Sequence, residues 1–94
     1  MKQKRDLNFK PGLSACIEEK LKEYFKALEG SVLPKNLYDI ILEEMERPLL
    51  LLALEESQGN QVRASEILGL NRNTLRKKLN QYKIDPHAFK DELF

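Results

Sequence analysis

From Leu13 the apolar residues fall at Leu13, Ile17, Leu21, Tyr24, Phe25 and Leu28, which draws one stripe on a 3.6-residue helix. The spacing predicts a first helix over 13–30. Ser14 is available as its N-cap, and Gly30 can take the left-handed conformation past the last turn. After Asn36, another cap candidate, a second apolar-rich run extends from Leu37 to Leu54. Leu37, Ile41 and Met45 make its stripe, which Tyr38 and Leu42 widen. Pro48 predicts a kink or a restart there, because it lacks an N–H and crowds the preceding turn. From Leu49, five of six residues are Leu and no polar face remains. A helix apolar all round must be covered on several sides, which a chain of 94 residues can hardly manage alone. Leu37, Ile41, Met45, Leu49, Leu51 and Leu52 are therefore predicted to form the seam of a homodimer, into which Leu51→Glu would place a charge.

Gln58-Gly59-Asn60 ends the second helix and caps a third, a short one marked by Val62, Ala64, Ile67 and Leu68. Gly69 stops it. Asn71 caps a fourth helix with Leu75, Leu79 and Tyr82 inward, so two short helices separated by Gly-Leu-Asn form a helix-turn-helix. Asp85 followed by Pro86 predicts a short tail helix over 87–93, with Phe89 and Leu93 tucked in. The first dozen residues have no apolar period and read as a flexible arm. The expected organisation is all-α: an arm over 1–12, a helical dimerisation region over 13–56, a helix-turn-helix over 57–84, and an extension over 85–94.

With 41% hydrophobic and 33% charged residues and only four Gly and four Pro, the chain is too apolar for disorder and too poor in breakers for an all-β fold. One Cys and one His do not suffice for a metal centre, a disulfide framework or a nucleophile–base pair. No catalytic residue, metal, cofactor or small-molecule substrate is expected. Cys16 reads as a small half-buried residue, His87 as a surface residue, and Glu43, Glu44, Glu55 and Glu56 as solvated charge. No stretch resembles a membrane span or a secretory leader, which points to the cytoplasm.

The net charge of +1 hides an asymmetry. Residues 12–56 carry five bases against ten acids, whereas residues 57–83 carry six bases against Glu66 alone. Such a division lets one part of a chain approach a polyanion while the rest stays soluble. On the fourth helix, Asn73, Arg76, Lys77 and Asn80 point away from the apolar stripe, and no carboxylate occurs between Asn71 and Ile84. The forked donors of Arg and Asn match guanine and adenine edges, while Lys77 and Lys78 suit phosphates. Asn71 and Thr74 stand at the helix start, where backbone N–H groups also point outward. Nucleic acid is the predicted partner, the alternative being a basic helix that only faces solvent.

The runs Leu37-Tyr38-Asp39-Ile40-Ile41-Leu42-Glu43-Glu44-Met45-Glu46-Arg47-Pro48-Leu49-Leu50, Gly59-Asn60-Gln61-Val62-Arg63-Ala64 and Gly69-Leu70-Asn71-Arg72-Asn73-Thr74-Leu75-Arg76-Lys77-Lys78-Leu79 closely resemble the Fis family, the factor for inversion stimulation. Leu21 to Gly30 also looks like its first helix. The same module ends the NtrC-type activators that work with an alternative sigma factor. A 94-residue chain beginning with Met fits the free-standing form better.

The resemblance implies an intertwined homodimer whose fourth helices enter successive major grooves. Because they sit closer together than one DNA turn, the duplex bends and its central minor groove is read by shape. Carried over, Arg72 reads a guanine, Asn71 and Thr74 assist at base edge or phosphate, and Asn60, Arg63, Arg76, Lys77 and Lys78 hold the backbone. RNA polymerase or a recombinase would be a further partner, and the bacterial nucleoid the location. Three features depart from the family pattern: Val62 stands where a hydroxyl residue is common, Asn80-Gln81 replace a basic pair, and the arm is lysine-rich rather than a β-hairpin pattern. A helical adaptor that binds only protein is the reading from another class.

Overall fold

A computed structural model of the chain describes residues 12–90. The predicted arm, apart from Gly12, and Leu93 of the predicted tail helix lie outside the described residues. Four helices are formed, α1 (Leu13–Ala27), α2 (Leu37–Ser57), α3 (Gln61–Leu68) and α4 (Arg72–Gln81), followed by a 3-10 turn over Pro86–Phe89. No strand occurs among the described residues. The fold class is all-α, as expected. The chain divides into two compact units, with the boundary between Lys35 and Asn36.

The first unit contains α1, which stops at Ala27 rather than at Gly30, with Leu28 as its C-cap. Gly12 rather than Ser14 holds the N-cap position, and no side chain caps this end. No residue of α1 is buried. Along its stripe Leu13, Ile17 and Phe25 are exposed, while Leu21, Tyr24 and Leu28 are half-buried. Cys16 is exposed as well, not half-buried. An amphipathic helix whose apolar stripe stays wet gains little from its own burial.

The second unit contains α2, α3, α4 and the 3-10 turn. Its core is Leu50, Ala53, Leu54, Ala64, Leu75, Leu79 and Ile84, with Leu51, Leu68, Leu70, Tyr82 and Phe89 packed against it. Helix α2 therefore supplies the floor on which the helix-turn-helix stands. The leucine run is divided between two faces, because residues three and four apart share a side while residues two apart do not. Leu50, Ala53, Leu54 and Ser57 point into the core. Met45, Leu49 and Leu52, at i, i+4 and i+7, are exposed, and Tyr38 is exposed on the same stripe. Leu37 and Ile41 are half-buried. Leu51 differs from the other predicted seam residues in packing against the protein's own core.

Pro48 neither breaks nor restarts α2, which runs through it unbroken from Leu37 to Ser57. Its missing N–H leaves the Glu44 carbonyl without an intrahelical donor, and Glu44 is exposed to water that can replace it. Expected caps also divide. Asn36 makes no side-chain cap, whereas Asn60 accepts from the Arg63 N–H at 3.1 Å and Asn71 from the Asn73 N–H at 2.8 Å. Asp85 caps the 3-10 turn through the His87 N–H at 3.0 Å.

Helix α3 is only eight residues long, so one narrow side of it reaches the core. Ala64 and Ser65 take that side, and the Ser65 hydroxyl is satisfied by the Val62 carbonyl at 2.7 Å. Val62 and Ile67 are exposed. Small residues win where helix backbones come close. Gly69 ends α3 at φ 70°, a left-handed conformation that side chains resist. Gly59 is required for a different reason. A Cβ there would collide with the Pro86 carbonyl oxygen and press on Lys90 Cγ at 3.3 Å.

Candidate nucleic-acid interface

Leu75 and Leu79, 1% and 2% exposed, anchor α4 on the core. Every residue from Asn71 to Thr74 is exposed, as are Arg76, Lys77 and Asn80. The buried stripe thus fixes which side of α4 faces out, and that side holds cations and neutral polar groups without an acid. Asn60 and Arg63 on α3 are exposed too. Among the described residues, no acidic group pairs with Arg63, Arg72, Arg76 or Lys77.

The two caps restrict what their asparagines can offer. A cap needs an acceptor, so Oδ1 of Asn60 and Oδ1 of Asn71 are turned toward their own helices. Each cap takes one lone pair of its Oδ1 and leaves the Nδ2 amide group free to donate outward. Both can donate to a phosphate.

Lys78 departs from the free cationic face expected for it. Its Nζ lies 2.7 Å from Glu46 Oε2, with the two side chains 27% and 17% exposed. The Tyr82 hydroxyl donates to the other oxygen, Glu46 Oε1, at 2.6 Å. Next along α2, the Arg47 guanidinium donates to the Tyr82 carbonyl at 2.9 Å. These contacts hold the Glu46 carboxyl below its usual range, first through the Lys78 bond and then through the Tyr82 bond. Burial, then the bond to Glu46, pushes the Tyr82 phenol up to about 12.

Sequence reasoning passed over Glu46. Its two partners lie on another helix, and no local spacing marks them. At the start of α3 there is an open groove of about 490 Å³, lined by Gln58, Gly59, Asn60, Gln61, His87 and Lys90. His87 is exposed and its Nδ1 lies 3.3 Å from Asp85.

A family model described as "Bacterial regulatory protein, Fis family" matches residues 41–82, from the second turn of α2 through α4. A Fis-like DNA-binding protein of Neisseria meningitidis serogroup A is 51% identical over 72 residues, covering 77% of this chain and 90% of the relative. The DNA-binding protein Fis of Buchnera aphidicola, subspecies Schizaphis graminum, is 44% identical over 81 residues, 86% of this chain and 82% of that one. The transcriptional regulator NtrC of Azospirillum brasilense is 51% identical over 73 residues, 78% of this chain. The match spans only 15% of that much longer protein.

Proposed function

The chain belongs to the Fis family of bacterial regulatory proteins, and we propose that it is a homodimeric transcription regulator that binds and bends double-stranded DNA through α3 and α4. The observation that carries this reading is the outer side of α4, where Arg72, Asn73, Arg76 and Lys77 stand exposed and unpaired by any described acid over buried Leu75 and Leu79. A basic helix with no carboxylates of its own repels itself without a polyanion to neutralise it.

Within this reading Arg72 reads a guanine edge through its fork, and Thr74 and Asn73 meet neighbouring base or sugar groups. Arg63, Arg76 and Lys77 neutralise phosphates, and the Nδ2 amines of Asn60 and Asn71 donate to them. Lys78 is held by Glu46 and is not counted among the phosphate contacts. The exposed row Tyr38, Met45, Leu49 and Leu52, with Leu37 and Ile41 beside it, forms the seam between two copies. RNA polymerase or a recombinase would meet the assembled dimer on DNA, at the nucleoid.

The test is a salt titration of binding to a random duplex. A dimer that brings Arg63, Arg76 and Lys77 of both copies to phosphates should lose roughly a thousandfold in affinity between 50 and 200 mM salt. A protein-only adaptor would show no such slope, and that result would end this reading.

The 51% identity to NtrC favours one second reading, in which the same module serves as the DNA-binding end of a longer sigma-factor-dependent activator. Immunoblotting of the native cells distinguishes the two, since the activator would run far above a 94-residue chain.

A further inference from the structure

We propose that Glu46 is a positioning residue that locks the recognition helix α4 to α2, so that the dimer seam sets the distance between the two recognition helices. The proposal rests on the dimeric DNA-binding reading above and adds to it the part that transmits the spacing.

Three contacts converge on one end of α4. Glu46 uses one carboxylate oxygen for Lys78 at 2.7 Å and the other for the Tyr82 hydroxyl at 2.6 Å. Arg47 takes the Tyr82 carbonyl at 2.9 Å, where that helix ends and its C-terminal carbonyls have no intrahelical donor. All three are anchored on consecutive residues of α2. Hydrophobic contact alone lets a short helix roll or slide by a fraction of an ångström at small cost, whereas charge-assisted bonds at fixed angles resist both motions. Lys78 and Glu46 are mostly screened from water, so their pairing is not the loose surface kind.

The same stretch of α2 carries Met45, Leu49 and Leu52 on its exposed side. Seam and clamp therefore lie within a few residues of each other on one rigid helix. Whatever fixes two copies of α2 together fixes, through Glu46, where each α4 points. The burial and hydrogen bonding that raise the Tyr82 phenol agree with a closed contact at this place.

The experiment uses the full chain and a series of duplexes whose two guanine half-sites are moved apart one base pair at a time. Wild type should prefer one spacing. Glu46→Gln keeps the length of the side chain and an acceptor for Tyr82 but removes the charge that holds Lys78. It should bind a random duplex within about twofold of wild type while its preference for the best spacing over the adjacent ones falls about fivefold or more. Lys78→Met should do the same, and the double variant should be no worse than either single one, because both break one contact. Spacing preference unchanged in Glu46→Gln and Lys78→Met, with wild type selective, overturns the positioning role and leaves the DNA-binding reading standing. Parallel losses on random and selected duplexes that track a fall in melting temperature would make the contact merely structural and also overturn it. A wild type that binds DNA without any spacing preference overturns the dimeric reading along with the clamp. Should Glu46→Gln fail to fold, Lys78→Met alone decides.

Discussion

Leu50 and Leu52, two positions apart on α2, face opposite ways: Leu50 is 1% exposed and Leu52 is 61% exposed. One serves the core beneath the helix-turn-helix, and the other serves a surface that this chain does not cover with its described residues. Leu50→Ala should cost about 2 to 5 kcal/mol of stability, since it leaves a cavity beneath α3 and α4. Leu52→Glu should leave α2 to α4 folded, with a lower melting temperature, and convert the protein to a monomer. Sedimentation equilibrium and circular dichroism separate the two effects. A Leu52→Glu protein that remains dimeric would remove the seam.

Arg72 and Lys77 should fail in different ways when truncated. Losing a forked Arg contact to guanine costs about 1 to 3 kcal/mol at one base pair, so Arg72→Ala should lower the ratio of specific to random binding. Lys77→Ala should weaken both complexes alike and reduce the salt slope by about two units, one for each copy in the dimer. Lys78→Ala should leave the slope nearly unchanged, because Glu46 already neutralises that charge. Equal loss on both duplexes from Arg72→Ala would show that it does not read a base.

The linked pair Glu46 and Tyr82 gives the stability two pH limits. The Glu46 carboxyl titrates lower in the folded protein than its ordinary 4.5, so its contribution is complete above that value and disappears as pH falls through the folded value. The Tyr82 phenol moves the other way, from 10.0 to about 12, so its contribution is complete below 10.0 and is lost as pH rises toward 12. Glu43 adds to the upward push and Arg47 opposes it. Thermal melts of wild type, Glu46→Gln and Tyr82→Phe across pH should converge at the acid end for the first variant and at the alkaline end for the second. Curves that stay parallel would show that neither contact persists in solution.

Bending should appear as sensitivity to base pairs that no side chain reaches. Straight B-DNA presents successive major grooves about 34 Å apart, and in the proposed dimer two α4 helices on one compact body meet them by curving the duplex. Such curvature costs about 1 to 6 kcal/mol, depending on the sequence that is bent. Replacing a central A/T step with G/C should therefore weaken binding several-fold, and end-to-end FRET should report shortened DNA in the complex. Straight DNA with no central penalty would leave an ordinary helix-turn-helix.

The elements legible in the chain were those governed by local signals. Asn60, Asn71 and Asp85 could be read as caps because a cap is decided within three residues, and Leu75 and Leu79 because i,i+4 spacing fixes a helix face. Ser14 does not cap because the helix starts two residues earlier than its hydroxyl requires, with Gly12 at the N-cap position. The leucine run defeated periodicity altogether, since Leu49 to Leu52 fill every direction around α2 and only the packing of α3 and α4 decides which are covered. Val62 and Ile67 mark the helix by their spacing, yet both stay exposed, because a helix of eight residues buries only one side. Glu46 was invisible for the plainest reason: Lys78 and Tyr82 come to it only once α4 has folded back onto α2.

The caps carry a consequence for how folding and recognition are divided among atoms. At the 3-10 turn the chain uses an acid, Asp85, and an acid caps a helix as well as an amide does. At the starts of α3 and α4 it uses Asn60 and Asn71. Folding alone is indifferent between the two side chains, which differ by one amine exchanged for one oxygen. The difference is felt only by what lies outside the helix, where the amine donates and a carboxylate would repel phosphate. In the proposed complex, asparagine at these two places meets both demands, the amide oxygen holding the helix start and the amide nitrogen facing phosphate.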